Sequence, residues 1–343
     1  MLTAIAAIVV FGILIFIHEA GHFFVARLVG VGVHEFSLGF GPRLWGFAKG
    51  KTAYTLRAVP LGGFVRLVGM DPQDEEKDQP YSFARKSVWQ RMAVILAGPV
   101  MNFVLAIFVL AFVFIFQGLP TATTTVNQVI PGYPAATAGI KVGDRIVAID
   151  GEPVRDWSDI LWSVGEQKAG DTRILTVERD GRRLTFEVTP VQEEGKRKIG
   201  LLPVIVQERV GLGKALAGGV EYTGHIIKLI VVFLGKIFTR EAPADFGGPV
   251  RVVVEIGNAA KLGLFSLFQL TAFLSINLGF FNLLPIPALD GARIGFLLWE
   301  GVTRAPVDPE KENIVHLVGF TLLILLMVAV TYHDIIQLSG GIQ

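Results

Sequence analysis

Four stretches of this 343-residue chain come close to the roughly 20 consecutive apolar residues that a bilayer crossing requires. They are residues 2–26, 93–117, 264–284 and 314–332. The second carries no charge at all, and the third holds Asn277 and Asn282 before ending at a proline pair. A shorter stretch, 226–238, contains two lysines and reads as part of an amphipathic, interfacial region covering 208–263. Hydrophobic residues make up 52% of the chain and charged ones 18%, against roughly 25% charged in an average soluble domain. The balance predicts a membrane protein with some soluble mass attached. Residues 2–17 have the apolarity of a signal peptide, but no Lys or Arg precedes Arg27 and "HEAGH" stands where a cleavage site is expected, so the segment reads as a retained helix.

Orientation follows from the basic residues. Arg43, Lys49, Lys51, Arg57, Arg66, Arg85, Lys86 and Arg91 cluster between the first two spans, which by the positive-inside rule makes 29–92 cytoplasmic. Both termini and everything between spans two and three then fall outside the cytoplasm. Within 29–92, "TAYTLRAVPLGGFVRLVGM" reads as strands broken by Pro60 and Gly62-Gly63, too apolar for an ordinary loop. A hairpin dipping toward the membrane is expected there, covered by protein because lipid cannot satisfy free backbone groups. The following "DPQDEEKDQP" is a solvated acidic loop. Residues 124–195 differ again: short alternating runs such as "RILTVERDGRRLTFEVT", separated by Gly-Asp and Asp-Gly turns, predict a small β-rich domain. Its "PGYPAATAGIKVGDRIVAIDGEPV" resembles a PDZ domain, in a single copy.

The chemistry starts in the first span. His18, Glu19 and His22 spell H-E-x-x-H. On a helix the two histidines lie one turn apart on one face, so both imidazoles reach a single metal while the glutamate serves as general base toward the attacking water. Zinc suits histidine nitrogen and keeps a position open. A glutamate near a helix centre costs about 2.5–3.5 kcal/mol on insertion scales, and an intramembrane ionisable residue marks function by default. The absence of cysteine excludes thiolate ligands, disulfides and a cysteine nucleophile. A net charge of +1 gives no reason to expect nucleic acid.

Two histidines leave the site one protein ligand short. His225, Asp290, His316 and His333 are the candidates near apolar segments. His225 lies on the amphipathic stretch, His333 at a span's end, and His316 suits a capping or interfacial role. Asp290 follows "NLLPIPALDG", where Pro285 and Pro287 end the third helix and leave unwound backbone, which at membrane depth is expected only around a cavity or protein interior. Asp290 is therefore the favoured ligand.

"HEAGH" in a first transmembrane helix, "AGPVMNF" in a second, a PDZ-like insert and "SINLGFFNLLPIPALDG" in a third together resemble the site-2 protease family of intramembrane zinc metalloproteases, peptidase family M50, of the bacterial type that acts in regulated intramembrane proteolysis. The resemblance covers nearly the whole chain. It implies zinc bound by His18, His22 and Asp290, with Glu19 as base. It also implies substrate contacts at Asn282 and at the Gly62-Gly63 region, which corresponds to the family's membrane-dipping hairpin. Expected partners are the lipid bilayer and single-pass membrane substrates such as anti-sigma factors or signal-peptide remnants, with a peptide tail or steric screening at the PDZ-like domain. The expected location is the bacterial inner membrane, both termini and the PDZ-like domain being extracytoplasmic. Two departures stand out: one PDZ-like domain where some relatives carry two, and "DGAR" where Gly-Gly often follows the aspartate.

The expected architecture is thus a polytopic α-helical membrane protein of about four transmembrane helices, with a membrane-associated β-hairpin and an inserted β-rich PDZ-like domain. By segment it reads 1–28 (first helix), 29–92 (cytoplasmic), 93–117 (second helix), 124–195 (PDZ-like), 208–263 (interfacial), 264–291 (third helix and ligand loop) and 314–332 (fourth helix). Two rivals compete on function. A PDZ scaffold with a structural metal leaves Glu19 unexplained, and a metal transporter lacks the two related halves common in that class. Glu19→Gln separates all three.

Overall fold

The computed structural model describes residues 1–71, 73–165, 171–193, 196–241, 247–305 and 307–340. Parts of the acidic loop, the interfacial region and the PDZ-like segment lie outside the described residues. The chain divides into two compact units, 1–113 with 212–343, and 114–211.

In the first unit, α1 (Leu2–Leu28) is an unbroken helix with Arg27 in its last turn, where a cation offsets the exposed carbonyls. Its amino-terminal half buries Ala6, Ala7, Val10 and Leu14 around Ile256. Small side chains let helix backbones approach closely where lipid supplies no hydrophobic drive between helices. The carboxyl-terminal half crosses α2 (Val88–Gln117) at Gly21. A Cβ on Gly21 would stand 2.3 Å from the Ala97 carbonyl oxygen, so only glycine fits this crossing. "HEAGH" is thereby pressed against "AGPVMNF".

Between these helices, β1 (Val33–Lys49) and β2 (Thr52–Leu67) form a hairpin that folds back on itself. Residues 52–57 pair with 43–49 and also with 35–38, and 33–38 pair in turn with 63–67. The result is a curled sheet whose one outer edge is the segment 63–67. The pairing lapses between Val59 and Gly63, at Pro60 and Gly62, since proline offers no N–H to a ladder, and resumes at Gly63. β1 itself is a strand that the sequence reading missed. The sheet's far end exposes Phe40, Leu44, Trp45 and Phe47, an apolar tip of the kind a membrane-associated hairpin presents.

The later helices of this unit are α5 (Leu212–Phe238), α6 (Pro249–Leu262), α7 (Leu264–Asn282), α8 (Asp290–Thr303) and α9 (Pro309–Gly340). Length alone does not set α5 aside: it runs 27 residues, well beyond 226–238, because Lys, Glu and Gly interrupt its apolar run without interrupting the helix. Among the described residues, five helices are long and apolar enough to cross a membrane: α1, α2, α5, α7 and α9. The protein is a multi-pass membrane protein. Asp334, buried near the end of α9, accepts the Gly248 and Arg251 backbone N–H groups at 3.1 and 3.0 Å and so caps α6.

The second unit is built from β3 (Leu119–Val129), α3 (Pro134–Ala138), β4 (Arg145–Ile149), β5 (Glu152–Pro153), α4 (Trp157–Gly165), β6 (Arg173–Arg179), β7 (Arg182–Val188), β8 (Val191–Glu193), β9 (Lys196–Lys198) and β10 (Leu201–Glu208). Its antiparallel sheet has the order β10-β3-β4-β6-β7, with β5 beside β4 and a separate β8–β9 pair. Because β10 returns to β3, the unit extends past both ends of 124–195. Val126, Ile146, Ile160, Leu175 and Val177 fill the core. The "KVGD" turn is held by Asp144, which accepts the Lys141 N–H and both arms of the Arg179 guanidinium. Burial works to raise the Asp144 carboxyl, but the Arg179 fork and the Lys141 N–H hold it below the usual carboxylate range.

Candidate metal centre

Asp290 reaches the histidines because the chain leaves α7 at "LLPIPA" and turns sharply. Ala288 adopts a left-handed backbone (φ 79°), an uncommon conformation for a residue with a Cβ. Gly291 then packs directly on the end of α7, where a Cβ would come within 2.2 Å of the Leu284 carbonyl oxygen. The "DG" of the motif is therefore a packing requirement as well as a ligand signal. Asp290 opens α8, and Arg91 of α2 pairs with Glu300 at 2.5 Å further along α8, tying the ligand helix to the second span.

His18 Nε2 and His22 Nε2 lie 3.3 Å apart, and Asp290 Oδ2 stands 3.2 and 3.4 Å from them. Zinc with bonds of about 2.0–2.1 Å in a tetrahedron has ligand edges of ~3.3 Å, so this triangle matches one face and leaves the fourth corner open. Asp290 Oδ2 is buried and, despite its closeness to both imidazoles, makes no hydrogen bond. Ligand atoms crowded together in this way repel one another unless a cation joins them. The donor set fits zinc.

The far side of each imidazole is also held. His22 Nδ1 donates to the Val94 carbonyl at 2.8 Å, leaving the Nε2 lone pair for the metal. His18 Nδ1 meets the Asn102 side-chain amide at 3.1 Å, and Asn102 is fully buried. The amide nitrogen faces that ring atom while Asn102 Oδ1 is buried without a partner; turning the amide over lets Oδ1 accept from His18 Nδ1–H and leaves Nε2 for a metal. Gly98 faces His22 so closely that a Cβ would stand 2.3 Å from Nε2. The sequence reading quoted "AGPVMNF" without giving Asn102 or Gly98 a role. A Gly-Pro pair and an asparagine within an uncharged span were the available signal.

Glu19 shares a cleft of about 400 Å³ with His18, His22 and Asp290, and its walls include Gly62, Gly63 and Asn282. The expected site residues are thus brought together. A Cβ on Gly63 would come within 2.9 Å of Ile15 and 3.1 Å of the Glu19 side chain, so glycine is what lets the sheet edge lie against Glu19. The other candidates lie elsewhere. Asn277 donates to the Phe273 carbonyl of its own helix, His225 is exposed on α5, and His333 contacts Gln337. His316 does not cap α9, since it lies two turns inside that helix; its Nδ1 accepts the Ala288 N–H at 3.0 Å, pinning the turn before Asp290. Gly319 seats the same helix on Pro287, where a Cβ would approach to 2.3 Å.

Comparison with known proteins gives a match to the model of peptidase family M50 over residues 6–326. The chain is 35% identical to the regulator of sigma-W protease RasP of Bacillus subtilis, over 98% of this chain and 99% of that protein. It is 34% identical to the zinc metalloprotease RasP of Bacillus licheniformis, over 98% and 100%. The zinc metalloprotease RasP of Geobacillus kaustophilus is likewise 34% identical, over 96% and 97%.

Proposed function

Since the chain belongs to peptidase family M50, we propose that His18, His22 and Asp290 hold its zinc and that Glu19 is the general base of peptide-bond hydrolysis within the membrane. The enzyme is a zinc metalloprotease. The observation that carries the residue assignment is the triangle of ligand atoms with one open corner, Glu19 lying on the wall of the same cleft.

Zinc supplies Lewis-acid polarisation and a nucleophile competent at neutral pH. The rest falls to the chain. Val94 and Asn102 orient the two imidazoles, and Glu19 takes the proton of the attacking water and returns it to the departing amine. A helical substrate hides its carbonyls in its own hydrogen bonds, so it must be opened before it is cut. The 63–67 segment is the sheet's outer edge, and its Gly63, Phe64, Val65 and Leu67 line the cleft. An extended substrate pairs with that edge as an added strand. Asn282, whose amide both donates and accepts, steadies the opened backbone on the opposite wall.

The substrates are single-pass membrane proteins such as anti-sigma factors or signal-peptide remnants, cut within or near their membrane segment in a bacterial inner membrane. The hairpin side faces the cytoplasm, and the PDZ-like domain outside it binds a trimmed tail or excludes untrimmed substrates. Glu19→Gln tests the catalytic assignment: purified protein should keep its zinc and lose cleavage of a membrane-segment substrate. Cleavage at the unaltered rate would remove Glu19 from the mechanism.

A further inference from the structure

Three clefts meet at one side chain. Arg293, with Met70, lines the metal cleft, a second cleft of about 530 Å³ beside Arg91, Glu300 and Phe296, and a third of about 770 Å³ beside His34 and Asp74. It stands three residues after Asp290 on α8, so both residues project from one face of that helix. A guanidinium offers five N–H donors. The polar contact that Arg293 makes is from Nη1 to the Met70 sulfur at 3.2 Å, a weak acceptor.

Nearby arginines are answered differently. Arg57 pairs with Glu35, Arg85 with Asp78 and Arg91 with Glu300. Among the described residues, no carboxylate comes within ion-pair distance of Arg293; Asp290 and Glu312 act on it only through space. Asp290 is committed to the metal, and Glu312 leans toward His316 at 3.7 Å. A half-buried guanidinium whose polar contact is a weak sulfur acceptor, and which opens onto three clefts, has donors to offer an anion. The planar fork is shaped for a carboxylate.

We propose that Arg293 is the receiving site for the new C-terminal carboxylate of the amino-terminal cleavage product. The proposal rests on the proteolytic reading. Hydrolysis breaks the C–N bond, puts hydroxyl on the carbonyl carbon and hydrogen on the amine nitrogen, and the resulting acid ionises to a carboxylate. That anion is made at the metal, beside Glu19, and among the described residues Arg293 is the cationic side chain lining the same cleft, placed to draw the carboxylate off the metal. An acidic substrate side chain offers the same chemistry, but such residues are rare inside membrane segments.

The test uses Glu19→Gln protein, which holds product without further turnover, and three fluorescent apolar peptides. One ends in a free carboxylate, one in a carboxamide, and one in a carboxamide with an internal glutamate. With Arg293 present, the free carboxylate should bind roughly tenfold tighter than the amide, as expected for a hydrogen-bonded charge pair. Arg293→Gln should bring that ratio close to one, and Arg293→Lys, which keeps the charge and fold, should restore part of it. The Arg293-dependent share should survive zinc chelation, which separates it from the metal's own attraction for carboxylate. An unchanged preference in Arg293→Gln would overturn the proposal. An internal glutamate binding as well as the terminal carboxylate would overturn the assignment to the product end. Failure of the proteolytic reading would show separately, as no cleavage of a membrane-segment substrate by the unaltered, zinc-loaded protein.

Discussion

Replacing Gly98 by alanine adds one methyl group to α2 at the point where that helix faces His22. The new Cβ would lie 2.3 Å from His22 Nε2 and 2.5 Å from Cε1. Ordinary contact begins near 3.4 Å, so the imidazole must retreat by at least 3.4 − 2.3 = 1.1 Å. Metal–ligand distances tolerate about 0.2 Å. If α2 yields instead of the ring, the bond from His22 Nδ1 to Val94 stretches and the ring loses its orientation. Either way the His22 corner of the triangle is lost. Perturbing an outer partner of a ligand costs about 10–100-fold in metal affinity, and a displaced ligand should reach at least the upper end. Glycine to alanine raises helix propensity by roughly 1 kcal/mol, which offsets part of the cost of about 1–3 kcal/mol for overpacking, so zinc affinity should fall far more than thermal stability. The assay is competition against a chromophoric chelator in detergent, alongside a melting curve. Gly12→Ala, with nothing within 4 Å of its added Cβ, is the matched control in α1. Zinc binding by Gly98→Ala within about twofold of the unaltered protein would refute the reasoning.

Other outcomes follow from the same geometry. His316→Ala should loosen the Ala288 turn and lower zinc affinity, while His316→Asn, whose amide oxygen can accept the same N–H, should recover most of it; equal affinity in all three proteins would remove His316 from the site's support. Gly63→Ala should push the sheet edge off Glu19 and cut turnover while zinc stays bound, checked by kcat beside metal content. The carboxyl of Asp144 is lowered on folding, so its contribution to the second unit is full above the ordinary carboxylate range and is lost as pH falls through the native value. Asp144→Asn should therefore flatten the acid limb of protease resistance of that unit in the full chain, and an unchanged limb would count against the Arg179 fork. Single cysteines placed at the exposed Gln79 and Ser158 of this cysteine-free chain test orientation: an impermeant thiol reagent on intact cells should label position 158 and spare 79, and the reverse would overturn it.

What could be read from sequence was what local pattern encodes. The apolar runs, the helical spacing of His18 and His22, and the proline-broken end of α7 before Asp290 are short-range signals, and each is found in the structure. Asn102 and Arg293 were given no role because theirs exist only after folding: Asn102 is 84 residues from the histidine it meets, and Arg293 is 223 from Met70. His316 suits a capping or interfacial role by sequence because its partner, the Ala288 backbone N–H, leaves no mark there. The extent of α5 was missed because an apolar-length criterion stops at lysines that the helix passes through. β1 escaped because Gly39, Gly41 and Gly46 punctuate it like a loop, whereas Gly39 and Gly46 permit close approach to the backbone at Val59 and Tyr54.

The most direct test of the metal centre is zinc K-edge X-ray absorption on the purified protein and on Asp290→Asn. The account predicts two imidazole nitrogens with oxygen donors at about 2.0–2.2 Å in the unaltered protein, and loss of the metal from the variant. A third imidazole in the first coordination sphere, or stoichiometric zinc in Asp290→Asn with an unchanged spectrum, would contradict it.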